Sequence, residues 1–590
     1  MKLFKKLTIL LLLAIIFSCN DDDFATGPTG LPTGNNHDAT AFAENFGNEI
    51  NRTFLGKVID VNEHPIEGVN ITIGNQTALT DANGVFIIND ATVHERFAYI
   101  KAEKSGYIHG SRSVVPSTGT NKVTIMLLEE TIVGTTSSGT SETISLSNGA
   151  SVSLQGDYVD GSGTAYSGDV DVIIHHLDPT DDNMTNQMPG MLYAANSDDE
   201  ERMLQTYGML AVELRGSNGE DLNLAEGTTA EIKVPLDASL LANAPSTIPL
   251  WYFDEILGYW IEEGEATLVG NTYVGTVSHF SFWNCDIPAE AINLCVNVTD
   301  ESSNPISNLH VTITSSVYGA RSGYTNEKGK VCGLVPSNEE LEINIYYYEC
   351  GMNTIYTSTI GPFNTDSSID VQVTSTSQLV IQNVVGMFND CDGNAVTDGY
   401  VVLTYGNQQF TDIVTDGNFE INFVSCVDGN VFVIEVFDYA NSQTTGEINY
   451  TFTEPFTNLG TLTSCNDVIG FIIYQVDSNP TIVYTNDVST FYEGPGTALI
   501  AGLTNVNNNN GFNLEFYQCN GLGTYNTLND PISFWFIDTN DNLGNQDPKD
   551  ITFNVTAIKG ETGDYTDINF SGTYNLGSVS HTIVGTIHAN

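Results

Sequence analysis

From Thr53 onward, apolar and polar residues alternate along most of this chain, which is the period of a β-strand with one buried face. In residues 68–73, for example, Val69, Ile71 and Ile73 share one face of a predicted strand. Clusters of Gly, Asn, Asp and Pro separate these runs at short intervals and predict tight turns. The pattern therefore predicts an all-β protein.

One arrangement of turn, strand and turn occurs three times. In the first copy, a turn at residues 62–65 precedes the strand that contains Val69, and a turn at residues 80–84 follows it. Similar pairs of turns recur at residues 300–305 and 325–329, and at residues 390–396 and 415–419. Because the spacings agree to within a few residues, the sequence predicts three related β-sandwiches, at residues 53–130, 289–376 and 377–465.

The first copy carries the motifs T-D-x-x-G-x-F at residues 80–86 and P-I-x-G-V at residues 65–69. These motifs and their spacing resemble the carboxypeptidase regulatory-like module, a small transthyretin-like β-sandwich. The resemblance implies a transthyretin-like or Ig-like fold in tandem. It implies no chemistry, because the module is not the catalytic part of that family.

A different unit is predicted at residues 131–288, between the first and second copies. Its segments 177–180, 188–190, 207–209, 249–254, 258–260 and 277–284 resemble an extracellular β-domain of cartilage intermediate layer proteins and the ZU5-type β-sandwich. Three of the four tryptophans lie here, at Trp251, Trp260 and Trp283. They predict either a platform on which sugars stack or a core rich in tryptophan.

Residues 466–590 form a last predicted β-domain, whose final segments resemble the closing hairpin of small β-domains in surface lipoproteins. We interpret it as a terminal cap or tip domain.

The first residues read as an export signal. Lys2, Lys5 and Lys6 precede an apolar run at residues 7–17, which is too short for a membrane-spanning helix of roughly 20 residues. Residues 16–19 resemble the lipobox of bacterial lipoproteins, which implies a signal peptide at residues 1–18 and acylation of Cys19. An ordinary secretory signal with an incidental cysteine is the alternative.

Residues 19–52 are rich in Gly, Pro, Thr, Asn and Asp and predict a lipidated, flexible tether. The segment at residues 20–23 resembles a tag that sends lipoproteins to the outer face of the outer membrane. Acyl chains alone anchor a protein stably when more than one is present. We therefore expect a lipid-anchored protein of the outer membrane that faces the cell exterior.

The net charge of the chain limits the kinds of molecule that it can bind. Without residues 1–18 the chain has 15 basic and 73 acidic residues, a net charge of −58. Such a field repels polyanions, so binding to nucleic acid or to a bare phosphate surface is disfavoured.

The cysteines indicate disulfides. Beyond Cys19 there are eight, an even number in an exported chain, and no C-x-x-C suggests zinc. Cys391 and Cys426 fall within one repeat and are a hypothetical pair. The disulfide candidates are Cys285, Cys295, Cys332, Cys350, Cys391, Cys426, Cys465 and Cys519.

Two segments are candidates for chemistry. The tripeptide His279-Phe280-Ser281 resembles an H-F-S motif at which some ZU5-type proteins cleave themselves, which implies Ser281 as nucleophile and His279 as base. Otherwise the tripeptide is a buried strand. Asp538, Asn540 and Asn542 lie in an oxygen-rich loop that could bind calcium, although Leu543 and Lys549 break the EF-hand order.

These features predict a non-enzymatic cell-surface lipoprotein that presents tandem β-sandwiches for adhesion or for binding a polysaccharide or a surface protein. No other cofactor is expected. Two alternatives stay open: a surface protein that cleaves itself between Phe280 and Ser281, and an accessory subunit of an outer-membrane nutrient uptake complex.

Overall fold

The computed structural model describes residues 37–347, 353–374 and 379–589, apart from 407, 427–430, 442, 454–455, 465, 468–470, 477–481, 485–487, 493, 504–510, 538–541, 560–565 and 578. Strands make up most of these residues, and the helices described among them are α1 (Ala39–Phe42), one 3-10 turn (Ala43–Phe46) and α2 (Met184–Gln187). The prediction of an all-β fold with tandem sandwiches is confirmed. The predicted signal peptide and Cys19 lie outside the described residues.

The predicted flexible tether is wrong over its last part. His37 contacts Asp199 at 2.5 Å and Tyr259 at 2.8 Å, and the 3-10 turn leads directly into the first strand. The reason is an aromatic pair, since Phe42 and Phe46 are buried in the core of residues 131–288. Residues 37–52 are therefore part of the folded structure.

The first sandwich consists of a sheet ordered β4-β1-β7 and a sheet ordered β3-β2-β5-β6. β1 pairs antiparallel with β4 and parallel with β7. Alternating side chains of both sheets, such as Val58 and Ile71, fill the space between them. The strands are β1 (Glu49–Ile59), β2 (Asn70–Ile73), β3 (Gln76–Leu79), β4 (Val85–His94), β5 (Ala98–Glu103), β6 (Gly110–Val114) and β7 (Thr120–Met126).

The middle domain follows and consists of one sheet of 13 strands. Two apolar clusters flank its long strand β14, one around Trp283 and the other around Trp251 and Trp260. The strands are β8 (Ile132–Ser137), β9 (Glu142–Ser145), β10 (Ser151–Leu154), β11 (Tyr158–Asp160), β12 (Asp169–Leu177), β13 (Tyr193–Ala195), β14 (Glu201–Gly216), β15 (Asp221–Leu224), β16 (Ala230–Pro235), β17 (Thr247–Asp254), β18 (Tyr259–Val269), β19 (Thr272–Val277) and β20 (Phe282–Ala289).

The second sandwich repeats the topology of the first, with sheets ordered β24-β21-β27 and β23-β22-β25-β26. Its strands are β21 (Ala291–Thr299), β22 (His310–Ser315), β23 (Gly319–Tyr324), β24 (Lys330–Pro336), β25 (Leu341–Tyr347), β26 (Asn353–Ile360) and β27 (Ser367–Gln372).

The third sandwich has sheets ordered β31-β28-β35 and β30-β29-β32-β33-β36, and β34 also pairs with β32. Its strands are β28 (Leu379–Asn389), β29 (Gly399–Tyr405), β30 (Gln408–Val414), β31 (Asn418–Cys426), β32 (Val431–Asp438), β33 (Gln443–Thr444), β34 (Ile448–Thr451), β35 (Phe456–Thr463) and β36 (Asn466–Asp467).

The C-terminal domain packs a sheet ordered β38-β37-β47-β46-β45-β42 against one ordered β39-β40-β41-β43-β44. Its strands are β37 (Phe471–Val476), β38 (Ile482–Tyr484), β39 (Val488–Tyr492), β40 (Thr497–Leu503), β41 (Gly511–Cys519), β42 (Gly523–Asn526), β43 (Ile532–Ile537), β44 (Asn542–Leu543), β45 (Lys549–Ala557), β46 (Thr566–Leu576) and β47 (Val579–Ala589).

The turns that define the repeat in the sequence share a glycine and one backbone contact, although the turn of the third copy is shorter and pairs Thr415 with Asn418. Gly84, Gly329 and Gly417 have φ values of 67°, 69° and 72°, in the left-handed region that favours glycine. Each glycine carbonyl accepts a hydrogen bond from the first strand of its sandwich. The three sandwiches therefore share this glycine contact as well as the strand order of the sheet that contains the first strand.

The first sandwich contacts every other unit. Its Ile108 and Leu128 pack with Trp251 of the middle domain, and its Leu55 lies in a cluster with Tyr400 of the third sandwich. Polar contacts reach the second sandwich and the C-terminal domain, through Thr120 to Glu327 and Glu67 to His588. The sandwiches are thus packed around the first one.

Candidate functional site

A large cleft lies where the second and third sandwiches meet beside the first. Its volume is about 1570 Å³, larger than the roughly 300–1000 Å³ of pockets for small ligands. A cleft of this size can accept a segment of a polymer.

The wall on the third sandwich comes from the outer faces of β28 and β31. Val384 and Phe388 of β28 point into the core, so Asn383 and Val385 point outward into the cleft. Glu420 and Asn422 of β31 line the same wall, which combines amide and carboxylate groups with aliphatic side chains.

A hydrogen-bonded group organises this wall. The Asn383 side-chain amide donates to Glu420 Oε1 at 2.7 Å, and the Asn422 amide donates to the same oxygen at 3.3 Å. Glu420 is exposed. The two amides therefore hold a solvent-accessible carboxylate in a fixed position.

The opposite wall comes from turns of the second sandwich. Asp300 accepts backbone hydrogen bonds from Ser302 at 2.8 Å and Asn304 at 2.7 Å, which shapes the turn, and Lys328 lies nearby on the second turn. The described residues of the lining include one basic side chain, that of Lys328, and four acidic ones, those of Asp300, Glu327, Asp412 and Glu420. The cleft is acidic.

The tripeptide His279-Phe280-Ser281 is buried just before β20. His279 and Ser281 are 1% and 6% exposed. Asn223 brackets Phe280, since its Oδ1 accepts from the Phe280 N–H at 2.8 Å and its Nδ2 donates to the Phe280 carbonyl at 3.2 Å. This places a hydrogen-bond donor on the carbonyl that Ser281 would attack.

His279 is held as a neutral side chain. Burial lowers its pKa to about 4, although a backbone hydrogen bond at Phe280 opposes the shift. Its Nδ1 has no hydrogen-bond partner among the described residues, and its ring packs edge-on against Tyr252 with 4.6 Å between centroids. Ser281 Oγ donates to the Phe282 carbonyl at 3.1 Å, so attack on Phe280 needs a rotation of the serine side chain.

The tryptophans form a core. Trp251, Trp260 and Trp283 are 0%, 0% and 1% exposed, and each indole N–H donates to a backbone carbonyl. Of the two interpretations of this cluster, the sugar-stacking platform is therefore wrong for these three residues.

The prediction that all eight cysteines form disulfides is wrong for two of them. Cys295 and Cys332 form a disulfide between the adjacent strands β21 and β24, and Cys391 is also disulfide-bonded. Cys285 and Cys519 are free and buried, because each lies on a strand among apolar neighbours. Cys350 and Cys465 and the side chain of Cys426 lie outside the described residues, as does the hypothetical pairing of Cys391 with Cys426.

The calcium candidates Asp538 and Asn540 and the side chain of Asn542 also lie outside the described residues. Elsewhere in the described part of the chain, no group of three His, Cys, Asp or Glu side chains could hold a metal ion. Within the same part, no helix is both long and apolar enough to span a bilayer.

The cleft was not predicted from the sequence. The outward-facing Asn383 and Glu420 are visible as polar positions of alternating strands, but only the packing of two sandwiches makes them a wall.

No protein-family model matches the chain, and no curated protein does. Solved structures with some similarity include shaft pilin SpaA from Lactobacillus rhamnosus GG, at 9% identity over 30% of this chain and 97% of that chain, with a TM-score of 0.15. A streptococcal ancillary pilin has 11% identity over 38% of this chain and 95% of that chain, with a TM-score of 0.13. The Bacillus anthracis TIE protein has 7% identity over 70% of this chain and 51% of that chain, with a TM-score of 0.13. Scores this low support no inference about function.

Proposed function

We propose that this chain is a non-enzymatic cell-surface protein that binds a polysaccharide in the cleft between the second and third sandwiches. The observation that carries the proposal is the wall in which Asn383 and Asn422 fix the exposed carboxylate of Glu420 beside aliphatic side chains. Amides and carboxylates hydrogen-bond to hydroxyl groups, and aliphatic side chains pack on the C–H faces of a sugar.

The charge of the cleft limits the ligand further. Its acidic lining and the net charge of the chain, −58 without residues 1–18, repel uronic acids and sulfated sugars. The proposed ligand is therefore a neutral polysaccharide or one that carries amino groups. The size of the cleft favours a chain of several sugars over a free monosaccharide.

The location of the protein in the cell is a separate part of the proposal. Cys19 is acylated and anchors the protein in the outer membrane, with the folded domains outside the cell. Replacement by serine, Cys19→Ser, tests this. The variant should leave the membrane fraction, whereas the unchanged protein stays there and is digested by protease added to whole cells. Membrane partitioning that survives the substitution would contradict the anchor.

The binding test uses a soluble chain that lacks residues 1–19, because residues 37–52 belong to the fold. It is screened against neutral, amino-containing and acidic polysaccharides, with and without calcium. The double variant Asn383→Ala, Glu420→Ala should weaken binding by roughly tenfold or more, since it removes hydrogen bonds that involve a charged group.

Asn297→Ala is the matched control. Asn297 lies on β21, the strand equivalent to β28, and its amide contacts Asp370 at 2.8 Å, outside the cleft. The control should bind as the unchanged protein does. The proposal would be contradicted if no polysaccharide in the screen bound the protein, or if Asn297→Ala weakened binding as much as the double variant does.

Two other outcomes would identify a different partner. Co-purification with a membrane transporter would favour the accessory-subunit hypothesis, and capture of a defined surface protein would identify a protein ligand.

A second candidate function is self-cleavage between Phe280 and Ser281. The observation that favours it is Asn223, which donates to the Phe280 carbonyl next to a buried, neutral His279. In this reaction Ser281 Oγ attacks the Phe280 carbonyl carbon, His279 takes the hydroxyl proton and returns it to the Ser281 nitrogen, and the peptide bond breaks. Water then hydrolyses the resulting ester.

Denaturing gels separate the two candidates. Self-cleavage yields two fragments, of which the second begins with Ser281. Ser281→Ala should abolish the fragments, whereas Ser278→Ala should not, because Ser278 bonds to Glu263 and not to the scissile peptide. A single intact band from mature protein excludes this candidate.

A further inference from the structure

Three side chains from three different sandwiches meet at one point. Lys122 lies on β7 of the first sandwich, Asn308 precedes β22 of the second, and Asp412 lies on β30 of the third. Lys122 Nζ is 3.2 Å from Asn308 Oδ1 and 3.7 Å from Asp412 Oδ2. An amine, a carboxamide and a carboxyl group are thus within reach of one another.

Backbone contacts hold the first and second sandwiches together at this point. The Thr120 N–H, two residues before Lys122, donates to both carboxylate oxygens of Glu327, at 3.0 and 3.1 Å. The side chain of Asn326 donates to Thr118 O at 2.9 Å. The position of Lys122 relative to the second sandwich is therefore fixed by its neighbours and does not depend on its own side chain.

The carboxamide of Asn308 has a defined orientation. Its Nδ2 donates to the Asn422 carbonyl at 3.0 Å and to Ser307 Oγ at 3.1 Å, so that its Oδ1 is directed at Lys122. The residue has a φ of 62°, which the turn before β22 imposes. The amine thus approaches the carboxamide from the side opposite its nitrogen contacts.

Asp412 is suited to hold a proton. It is 4% exposed, and its Oδ2 accepts no hydrogen bond from the described residues within normal distance. Burial raises its pKa, with a further increase from Glu327, while Lys122 and a backbone hydrogen bond oppose the shift. A buried carboxylate with a raised pKa accepts a proton more readily than an exposed one, so Asp412 can take a proton from a neighbouring group.

We propose that Lys122 and Asn308 form an isopeptide bond that covalently joins the first and second sandwiches, with Asp412 as the proton carrier. The Asp412 carboxylate first accepts a proton from the Lys122 ammonium, and the neutral Nζ then attacks Cγ of Asn308. Asp412 passes this proton to Nδ2 and takes up the next one from Nζ, and the bond from Cγ to Nδ2 breaks. The ammonia that leaves takes the last proton from Asp412 and departs as ammonium. One amide replaces another, so the step needs no oxidant, reductant or cofactor, and Asp412 ends in its initial state.

The bond fits the architecture independently of the proposed ligand. It closes a loop that contains the whole middle domain, and it adds a covalent link to a junction of three sandwiches that polar and apolar contacts hold together. Escape of ammonia makes the reaction effectively irreversible. The product resists reducing agents, unlike the disulfide between Cys295 and Cys332.

The test is the mass of the purified, reduced and denatured protein. It should be lower than the mass of the sequence by one ammonia. After digestion with trypsin, the linear peptide of residues 113–122 should be missing, because acylated Lys122 is not cleaved. A branched peptide that contains Lys122 and Asn308 should replace it, which also excludes loss of ammonia by cyclisation of an asparagine.

Substitutions test the roles of Lys122 and Asp412 in forming the bond. Lys122→Arg keeps the positive charge but has no competent amine, and Asp412→Asn removes the proton carrier, so both should show the full mass and the linear peptide. Lys101→Arg, in the same sandwich but paired with Glu103, is the control and should keep the lower mass. Full mass and complete recovery of the linear peptide from the unchanged protein would overturn the proposal and leave a non-covalent contact.

Discussion

Tyr400 of the third sandwich donates a hydrogen bond to Asp81 of the first, with 2.7 Å between Oη and Oδ2. The two residues are 319 positions apart in the chain. Asn83 donates to the same hydroxyl at 2.8 Å, and the Tyr400 ring stacks on Phe437 at 4.7 Å. The turn that identifies the first repeat in the sequence is therefore also the place at which the third sandwich docks.

Removal of this hydroxyl tests the docking. Tyr400 is completely buried, and burial raises the pKa of Asp81 while the Tyr400 hydroxyl opposes that shift. Tyr400→Phe should leave Oδ2 of the half-buried Asp81 carboxyl without this donor and destabilise the protein by about 1–3 kcal/mol. Chemical unfolding measures the change. Tyr517→Phe, at a side chain that is 51% exposed, is the control and should have almost no effect. Equal stability of the two variants would contradict the assigned contact.

The repeated glycine offers a second test. Gly329 and Gly319 both have left-handed backbones, with φ values of 69° and 74°. A Cβ on Gly329 would lie 2.3 Å from the Val298 carbonyl oxygen, whereas a Cβ on Gly319 would meet nothing within 4 Å. Gly319→Ala should therefore cost about 1 kcal/mol from its backbone alone, and Gly329→Ala about 2–4 kcal/mol.

The comparison uses two positions in the same sandwich, so that differences between domains do not enter. Thermal unfolding of both variants is measured under identical conditions. If the two substitutions lower the free energy of unfolding equally, the contact between the added Cβ and the Val298 carbonyl oxygen does not destabilise the protein.

The cysteines lead to a third prediction. Cys285 is buried, and burial, with a smaller contribution from Asp286, raises the pKa of its thiol, so Cys285 should not react with an alkylating agent in the folded protein. In the unfolded but unreduced protein, Cys285 and Cys519 should become labelled. Cys295 and Cys332 should be labelled only after reduction.

Peptide mapping by mass spectrometry checks each site separately. Cys391 should behave as Cys295 does, because it is disulfide-bonded. Recovery of Cys285 or Cys519 in a disulfide-linked peptide from freshly purified protein would contradict the structure at that position.

The fold could be predicted because its signals are local. A period of two along residues 68–73 identifies a strand with one buried face, and the turn at Gly84 needs a glycine whatever surrounds it. Both signals recur in each sandwich. The order of strands follows once one copy is recognised.

The arrangement of the sandwiches could not be predicted, because it depends on single residues. Tyr400 and Asp81 look like an ordinary strand aromatic and an ordinary turn residue in the sequence. Phe42 and Phe46 lie in a polar segment that composition alone assigns to a tether, yet they fill a gap in the middle domain. The cleft wall at Glu420 exists only because two sandwiches meet there.

The contact between the C-terminal domain and the first sandwich should depend on pH. His588 Nδ1 lies 2.5 Å from Asp567 Oδ1 and 3.7 Å from Glu67 Oε2. Burial disfavours the charged imidazole, but the two carboxylates outweigh burial and raise the pKa of His588. A raised pKa means that the folded protein holds this proton more tightly than the unfolded chain. The resulting stabilisation is complete below the unfolded value of about 6.5 and is lost as the pH rises through the folded value.

The measurement is the difference in unfolding free energy between the unchanged protein and His588→Gln, followed from pH 5 to pH 9. The difference should be largest at the acidic end and should shrink at alkaline pH, by about 1 kcal/mol or less, because Asp567 and Glu67 are 36% and 40% exposed and water screens them. Glu67→Gln removes the carboxylate of the first sandwich and leaves Asp567, so it should lower the pH at which the difference fades. A difference that stays constant over the whole range would mean that His588 packs at this interface without carrying its proton.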